Sequence, residues 1–407
     1  MDNGKNILVL TREYSCKVRK NDRMTMVVAE FAEQWAKENN VLVIVNSARF
    51  PSFYYFFLGL AKGLIAKLYG KDASLLNDRS LDKPFEFNDG PIKVYNLPRL
   101  KFFPHAPYFR FQLKKQVKEI ERILSDNQFV PDIIDGHWIS PQLDLIQMLK
   151  EHYGEAKTAL VLHTEAVRSE YYTKKNKSGL EKFDYVGCRS RVGAETLYKG
   201  LKLKTMPFVC ASGIPDSYFN NLVEEKVIHV KNCTISTVSR LLNWKCLDAT
   251  ILGVSKAFSN GDYEYNIFGA GSEKEHLETI IKGNHLENHV HLRGKVSRDE
   301  VIEQMKRTDI FVMISLQETF GLVYLEAMAQ GCITIASIDG GVDGIIVDGY
   351  NGFLSKEGDA DALSECLKRI QLLSDEDLKT ISNNAMKTAR EYTHSKVGAR
   401  YLAEISK

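Results

Sequence analysis

The 407 residues, 44% apolar and 26% charged, describe a globular chain long enough for two ordinary domains, each with its own core. A net charge of +2 gives no general case for nucleic-acid binding, and no nucleic-acid partner is expected. Seven cysteines without a Cys-x-x-Cys spacing argue against a disulfide framework and a structural zinc site, and suit a reducing, cytoplasmic compartment.

Met1 to Lys5 leads directly into a strand-like run. It lacks the basic start and apolar stretch of a signal peptide, so no leader is expected. No segment reaches the roughly 20 apolar residues of a membrane-spanning helix. Phe53 to Lys67 reads either as an interfacial helix or as an ordinary amphipathic one.

The first half alternates between strand and helix patterns. Strands are expected at Asn6 to Leu10, Val41 to Val45, Ile92 to Asn96, Asp132 to Ile134, Thr158 to Leu162 and Phe183 to Gly187. Helices are expected at Arg23 to Glu38, Gln112 to Leu124, Pro141 to Glu151 and Val192 to Tyr198. The pattern weakens between Tyr218 and Asn232, which marks a domain boundary. A second alternation follows. Its strands are Thr234 to Val238, Tyr265 to Phe268, His289 to Leu292, Ile310 to Ile314, Ile333 to Ala336 and Phe353 to Leu354. Its helices are Leu247 to Phe258, Glu273 to Ile281, Arg298 to Lys306, Leu322 to Gln330 and Ala360 to Gln371, and the tail from Asp375 is helical. Such alternation predicts an α/β chain of two doubly wound domains. Their ligands bind beyond the carboxyl ends of the strands.

Candidates for chemistry fall in those loops. Ser315 to Gln330 carries Glu318 after a strand and Glu326, the only charge of an otherwise apolar helix. A carboxylate is rarely buried without a partner, so Glu326 needs a reason. Between the two acids a helix starts at Thr319-Phe320-Gly321, where free N–H groups favour an anion such as phosphate. Arg240 and Lys245 follow the first strand of the second half and are placed to neutralise a diphosphate, or else are solvated surface cations. Gly269 and Gly271 permit either close backbone approach to a ligand or a plain strand-to-helix turn. Gly294-Lys295-Val296 reads as a frame for a base and Gly340-Gly341 as another anion-friendly loop, or each as an ordinary loop. In the first half, Asp135-Gly136-His137-Trp138 and His163-Thr164-Glu165 end strands at the same edge. Each His is a core residue by default, but two such ends favour one functional His. The basic-aromatic stretch Arg99 to Lys115 reads as an anionic-membrane or acceptor face, or as a solvated helix face.

Glu318 to Glu326, within Glu-Thr-Phe-Gly-Leu-Val-Tyr-Leu-Glu-Ala-Met-Ala-Gln-Gly, resembles the Glu-x7-Glu signature of the retaining glycosyltransferases of family 4. Supporting matches are Ser239-Arg240-Leu241 with Lys245, Gly269-Ala270-Gly271, Gly340-Gly341, Asp348 to Leu354 and Gly136-His137-Trp138. The resemblance implies a GT-B fold, two Rossmann-like domains facing across a cleft. It implies an acceptor domain over 1–217, a donor domain over 218–385 and a final helix, 386–407, returning to the first domain. It also implies roles. Glu318 holds donor sugar hydroxyls and Glu326 the ribose. Thr319, Phe320, Gly321 and Leu322 lie against phosphates and sugar. Arg240 and Lys245 bind the diphosphate in place of a metal, and His163 sits near the sugar and the attacking hydroxyl. Gly269, Gly271 and Val296 complete the nucleotide site. No cofactor is implied beyond the nucleotide diphosphate sugar itself, a UDP-sugar in preference to a GDP-sugar.

The chain departs from the family pattern in the loop after the first strand, Thr11 to Cys16, which has no Gly pair. It also has Thr164 after His163 and Cys246 after Lys245 where Gly is common. The leading expectation is a metal-independent retaining hexosyltransferase acting on a cell-surface polysaccharide or lipid-linked oligosaccharide, with peripheral contact to an anionic membrane. An epimerase or phosphorylase of the same fold, or a non-catalytic partner that keeps the fold, are the alternatives.

Overall fold

In the computed structural model of the chain, the described residues are 4–19, 25–49, 82–101, 108–163, 176–220, 226–316 and 318–407. Several expectations lie outside them: the helix of Phe53 to Lys67, the start of the helix at Arg23, residues 102–107 of the basic-aromatic stretch, and Thr164 and Glu165. Contacts divide the chain into two units. The first comprises Met1–Cys188, Ala194–Cys210 and Gly398–Lys407, and the second Arg189–Gly193 and Ala211–Val397. The divide thus falls just before the expected boundary at 217/218, and the return to the first unit comes at 398 rather than 386.

In the first unit, β1 (Asn6–Thr11), α1 (Val27–Trp35), β2 (Asn40–Val45), β3 (Ala48–Arg49), β4 (Phe85–Asp89), β5 (Ile92–Asn96) and β6 (Arg99–Leu100) are followed by α2 (Arg110–Asp126) and β7 (Ile133–His137). Then come α3 (Gln142–Lys150), β8 (Lys157–Leu162), β9 (Tyr185–Cys188), α4 (Arg191–Leu201) and β10 (Phe208–Val209). The main sheet runs β10-β9-β8-β7-β1-β2-β5-β4 and is parallel except for β4. The sequence reading missed β4. Its Phe85-Glu86-Phe87-Asn88 alternates with period two, the pattern of an antiparallel edge strand wetted on one face, not the continuous apolar run of the central strands. Those central strands are buried on both sides. Leu8, Leu10, Ile44 and Ile134 pack with Val117, Ile120 and Ile146, while Leu160 and Leu162 pack with Leu197.

The second unit has β11 (Cys233–Val238), α5 (Leu247–Ala257), β12 (Tyr263–Phe268), α6 (Lys274–Gly283), β13 (Val290–Gly294) and α7 (Arg298–Arg307). After them come β14 (Ile310–Met313), α8 (Leu322–Ala329), β15 (Ile333–Ser337), β16 (Phe353–Ser355), α9 (Ala360–Gln371) and α10 (Asp375–Arg390). Its all-parallel sheet has the order β13-β12-β11-β14-β15-β16. Alternation along β14 builds both layers: Ile310 and Val312 face Ile251, Val254 and Leu367, whereas Phe311 and Met313 face Tyr324, Leu325 and Met328. Each fully buried side chain of this kind stabilises the fold by about 2 kcal/mol. Helix starts follow local chemistry. Ser297 accepts from the N–H of Glu300, which reaches back to the N–H of Ser297, a capping box at α7. The C-terminal ends of α7 and α8 share one cation: Lys226 Nζ donates to the carbonyls of Met305, Thr308 and Gln330 at 2.9, 2.6 and 3.1 Å.

The last helix, α11 (His394–Ile405), begins in the second unit, and its residues from Gly398 belong to the first. There Trp35 Nε1 donates to the carbonyl of Gly398 at 2.9 Å, and the Tyr401 ring packs edge-on against Phe31 and Trp35.

Candidate functional site

In the second unit the chain runs outward from β11 to β13 on one side and from β14 to β16 on the other. The loops after β11 and β14 therefore leave neighbouring strands in divergent directions, at the switch point where open α/β sheets bind ligands. Those loops carry Arg240 and Lys245, and Glu318 to Leu322. The structure brings two of them together. Lys245 Nζ forms an ion pair with Glu318 Oε2, with side chains 14% and 16% exposed, so the pair is largely withdrawn from water. Arg240 is exposed, its guanidinium 5.9 Å from the centroid of the Trp244 ring.

Glu318 Oε1 also accepts from the N–H of Thr319 at 3.2 Å, and Phe320 is buried beneath the turn. Gly321 enters α8 with φ +80°, and no side chain caps this helix N-terminus. The first N–H groups of α8 therefore have no side-chain cap. Gly341 packs on the turn: a Cβ there would lie 2.5 Å from Phe320 Cα. Tyr324, whose hydroxyl donates to the Met313 carbonyl at 2.8 Å, has its phenol pushed up by burial and by the charge of Glu318.

Glu326 is completely buried on α8. Its carboxylate meets the guanidinium of Arg298, yet neither oxygen has a well-formed hydrogen bond. Arg298 itself is 57% exposed. The sequence reading passed over Arg298. The Ser297/Glu300 capping box seen in the structure puts it in the first turn of α7, but nothing local in the sequence aims it at Glu326. Val296, half-buried against the α8 layer together with Leu322, lies two positions before Arg298 and so ties the expected base loop to the expected ribose acid.

Gly269 and Gly271 sit where the chain packs closely on itself. A Cβ on Gly269, at φ +145°, would lie 1.7 Å from the Ser239 carbonyl oxygen, and one on Gly271 2.1 Å from that of Leu241. The glycines let this turn press against the loop carrying Arg240, with the N–H of Leu241 donating to Ala270 O at 3.1 Å.

In the first unit, β7 and β8 deliver a buried polar cluster. Tyr401 Oη donates to Asp135 Oδ1 at 2.6 Å, and Asp135 Oδ2 lies 3.1 Å from His137 Nε2. His137 Nδ1 is 3.1 Å from His163 Nε2. Trp138, at φ +66°, ends β7 in the left-handed region and lays its ring flat on His163, centroids 4.0 Å apart. The Arg12 guanidinium sits 5.2 Å from the centroid of the Trp138 ring. Asp135 and Tyr401 were not assigned roles from sequence. Among the described residues, no group of three or more His, Cys, Asp or Glu is placed to hold a metal ion, and no helix is long and apolar enough to cross a membrane.

The family model for glycosyl transferases group 1 matches residues 220–388. An uncharacterized glycosyltransferase of Methanocaldococcus jannaschii is 24% identical over 379 residues, covering 89% of this chain and 99% of that protein. A second from the same archaeon is 30% identical over 362 residues, covering 82% of this chain and 88% of that protein. Among solved structures, Anabaena Alr3699/HepE in complex with UDP superposes with a TM-score of 0.66 at 15% identity, covering 98% of this chain and 99% of that one, a likeness of fold.

Proposed function

The chain belongs to the group 1 glycosyl transferases and has the GT-B fold, and on that premise we propose that it moves a hexose, with retention, from a nucleotide diphosphate sugar to a hydroxyl of a polysaccharide or lipid-linked oligosaccharide. The observation that carries the donor assignment is Glu326: a fully buried carboxylate whose oxygens lack well-formed hydrogen bonds is suited to take two from a ribose diol. Lys245, now engaged with Glu318, and exposed Arg240 supply the positive charge for a diphosphate, so no metal is required. The uncapped start of α8, from Thr319 to Leu322, adds backbone donors. Glu318 then exchanges Lys245 for sugar hydroxyls. Val296 frames the base, and Gly269 and Gly271 shape the loop that carries Arg240.

In the reaction the bond from the sugar C1 to the phosphate oxygen breaks while the acceptor oxygen bonds to C1 from the same face. The acceptor's proton passes to the leaving phosphate, and no side-chain base is needed. His163 is assigned, by the family resemblance, to a hydroxyl of the reacting sugars. A UDP-sugar is the favoured donor, supported by the UDP bound to the Anabaena protein of the same fold. Contact of the acceptor side with an anionic membrane surface is supported by Phe109 and Phe111, stacked at 5.7 Å and 54% and 70% exposed, beside exposed Lys114 and Lys115.

The test is a thermal-shift comparison of UDP, GDP and their sugars, followed by product analysis with and without acceptor. Binding of a nucleotide sugar and transfer only when an acceptor is added is the expected result. Epimerised sugar formed without acceptor overturns the transferase reading.

A further inference from the structure

Two cations stand where strands of the first unit end. Arg12 directly follows β1, and Lys101 directly follows β6. The stretch after β2 runs between them. Asn46 N–H donates to the Thr11 carbonyl at 2.6 Å, and Lys101 N–H donates to the Arg49 carbonyl at 2.8 Å. Each step is one strand spacing, so the two backbones lie about 10 Å apart, and side chains as long as Arg and Lys can reach one small ligand across that gap.

Lys101 is the anomaly. It is half-buried, with Nζ 5.1 Å from the centroid of the Tyr108 ring, and among the described residues no carboxylate pairs with it. Burial, and then the like charge of Arg12, pull its ammonium down to about 8. Arg12 is exposed and pairs with its neighbour Glu13 at 3.0 Å. Withdrawing one cation from water beside another, with no anion between them, costs free energy. No ion pair of Lys101 among the described residues offsets that cost, whereas a bound anion does.

We propose that Arg12 and Lys101 bind a phosphate group carried by the acceptor. This rests on the reading that the first unit takes the acceptor, and it deepens it: the acceptor is a phosphate-bearing glycan or lipid, not a neutral one. Two cations match a phosphate monoester, which carries a charge of about −1.5 to −2 at pH 7, better than they match a single carboxylate. The guanidinium fork fits two phosphate oxygens, and the ammonium adds a point charge. The position suits an acceptor. The Arg12 guanidinium is 5.2 Å from the centroid of the Trp138 ring, which lies flat on His163. Arg12 is thus two contacts away from the residue assigned to a hydroxyl of the reacting sugars.

The experiment uses the full chain and titration calorimetry, with and without saturating UDP. The probes are inorganic phosphate, glycerol 3-phosphate, dihexanoyl phosphatidic acid and glucuronate. The expected result is phosphate binding that persists when UDP is present. Lys101→Met and Arg12→Gln should each weaken it by about 10-fold or more, and Lys118→Met, which removes an exposed charge from α2, should leave it within about 2-fold. Tighter binding of the phosphatidic acid than of glycerol 3-phosphate assigns the phosphate to a lipid, and the reverse to a soluble glycan; either supports the site. Absence of phosphate binding, its abolition by UDP, tighter binding of glucuronate than of glycerol 3-phosphate, or unchanged affinity in Lys101→Met overturns the proposal. If Lys101→Met fails to fold, Arg12→Gln decides by the same readings. In turnover, Lys101→Met should raise the acceptor KM by about 10-fold or more with the donor KM within about 3-fold, and the opposite pattern overturns the acceptor assignment. A chain that binds no UDP sinks the proposed donor, while the phosphate series without UDP still decides the anion site.

Discussion

Replacing Glu326 by methionine separates what this carboxylate does for the fold from what it does for a ligand. In the free chain it is completely buried, meets Arg298 and has no well-formed hydrogen bond on either oxygen. A buried ion costs several kcal/mol after relaxation, and one imperfect ion pair recovers only part of that. Arg298 is 57% exposed and returns to water at little cost when its partner goes. Exchange for an apolar side chain of similar length should therefore stabilise the free chain by about 1–3 kcal/mol. For a unit of roughly 200 residues, each kcal/mol is about 2–4 °C, so the transition of the second unit should rise by about 2–12 °C. For the ligand the sign reverses. Two hydroxyl bonds to a carboxylate are each worth about 1.5–3 kcal/mol, and losing both should weaken UDP binding by ~10²-fold or more. Scanning calorimetry of the free variant and titration calorimetry with UDP read the two effects separately. A free variant that melts lower than wild type would refute the premise that the carboxylate is unsatisfied in the fold. One that melts higher but binds UDP normally would refute the ribose assignment.

Lys245→Ala leaves Glu318 without its cation in a largely dry site. It should destabilise the chain by about 1–3 kcal/mol and raise the Kd for UDP by roughly 10-fold or more, with Lys245→Ala/Glu318→Gln recovering stability but not affinity. Recovery of both in the double variant would place Lys245 away from the diphosphate. Gly271→Ala forces a Cβ to 2.1 Å from a backbone oxygen that cannot swing aside, so a loss of at least about 2 kcal/mol in denaturant unfolding is expected, and a neutral effect would contradict the packing of this turn on the 239–241 loop. At Asp216, burial pushes the carboxyl up, but hydrogen bonds from Ser395 and Thr393 pull it further down, and the net is a lowered value. A carboxyl lowered in the folded state contributes stability above its unfolded pKa and loses it as pH falls through the folded one. Asp216→Asn should therefore cost less than about 1 kcal/mol at pH 7, since the group is mostly exposed, and the difference should vanish near pH 2. A difference that persists at pH 2 would assign the effect to something other than charge.

What the sequence determined by itself is what neighbours along the chain can encode. The apolar runs of β1, β11 and β14 and the helical spacing of α5, α7 and α9 are local, and so is the Ser297-x-x-Glu300 start of α7. The oddity of one acid on the apolar α8 was equally legible, as were the two acids on either side of a helix start. The edge strand β4 was not, because its half-polar alternation becomes a strand only beside β5. Nor could spacing reveal the partners. Lys245 meets Glu318 across 73 positions because β11 and β14 are neighbours at the switch point. Arg298 reaches Glu326 because α7 and α8 pack on the same face of that sheet. Gly269 and Gly271, readable as close backbone approach to a ligand or as a plain strand-to-helix turn, are pressed against the chain's own loop. Asp135, His137, His163 and Tyr401 meet in one buried cluster because parallel strands end at one edge and the last helix lies beside them. Hydrophobic periodicity selects which face of an element is buried. Which polar groups meet in that dry space, and which must therefore share a charge or a hydrogen, follows from strand order and helix docking, and only the tertiary structure decides it.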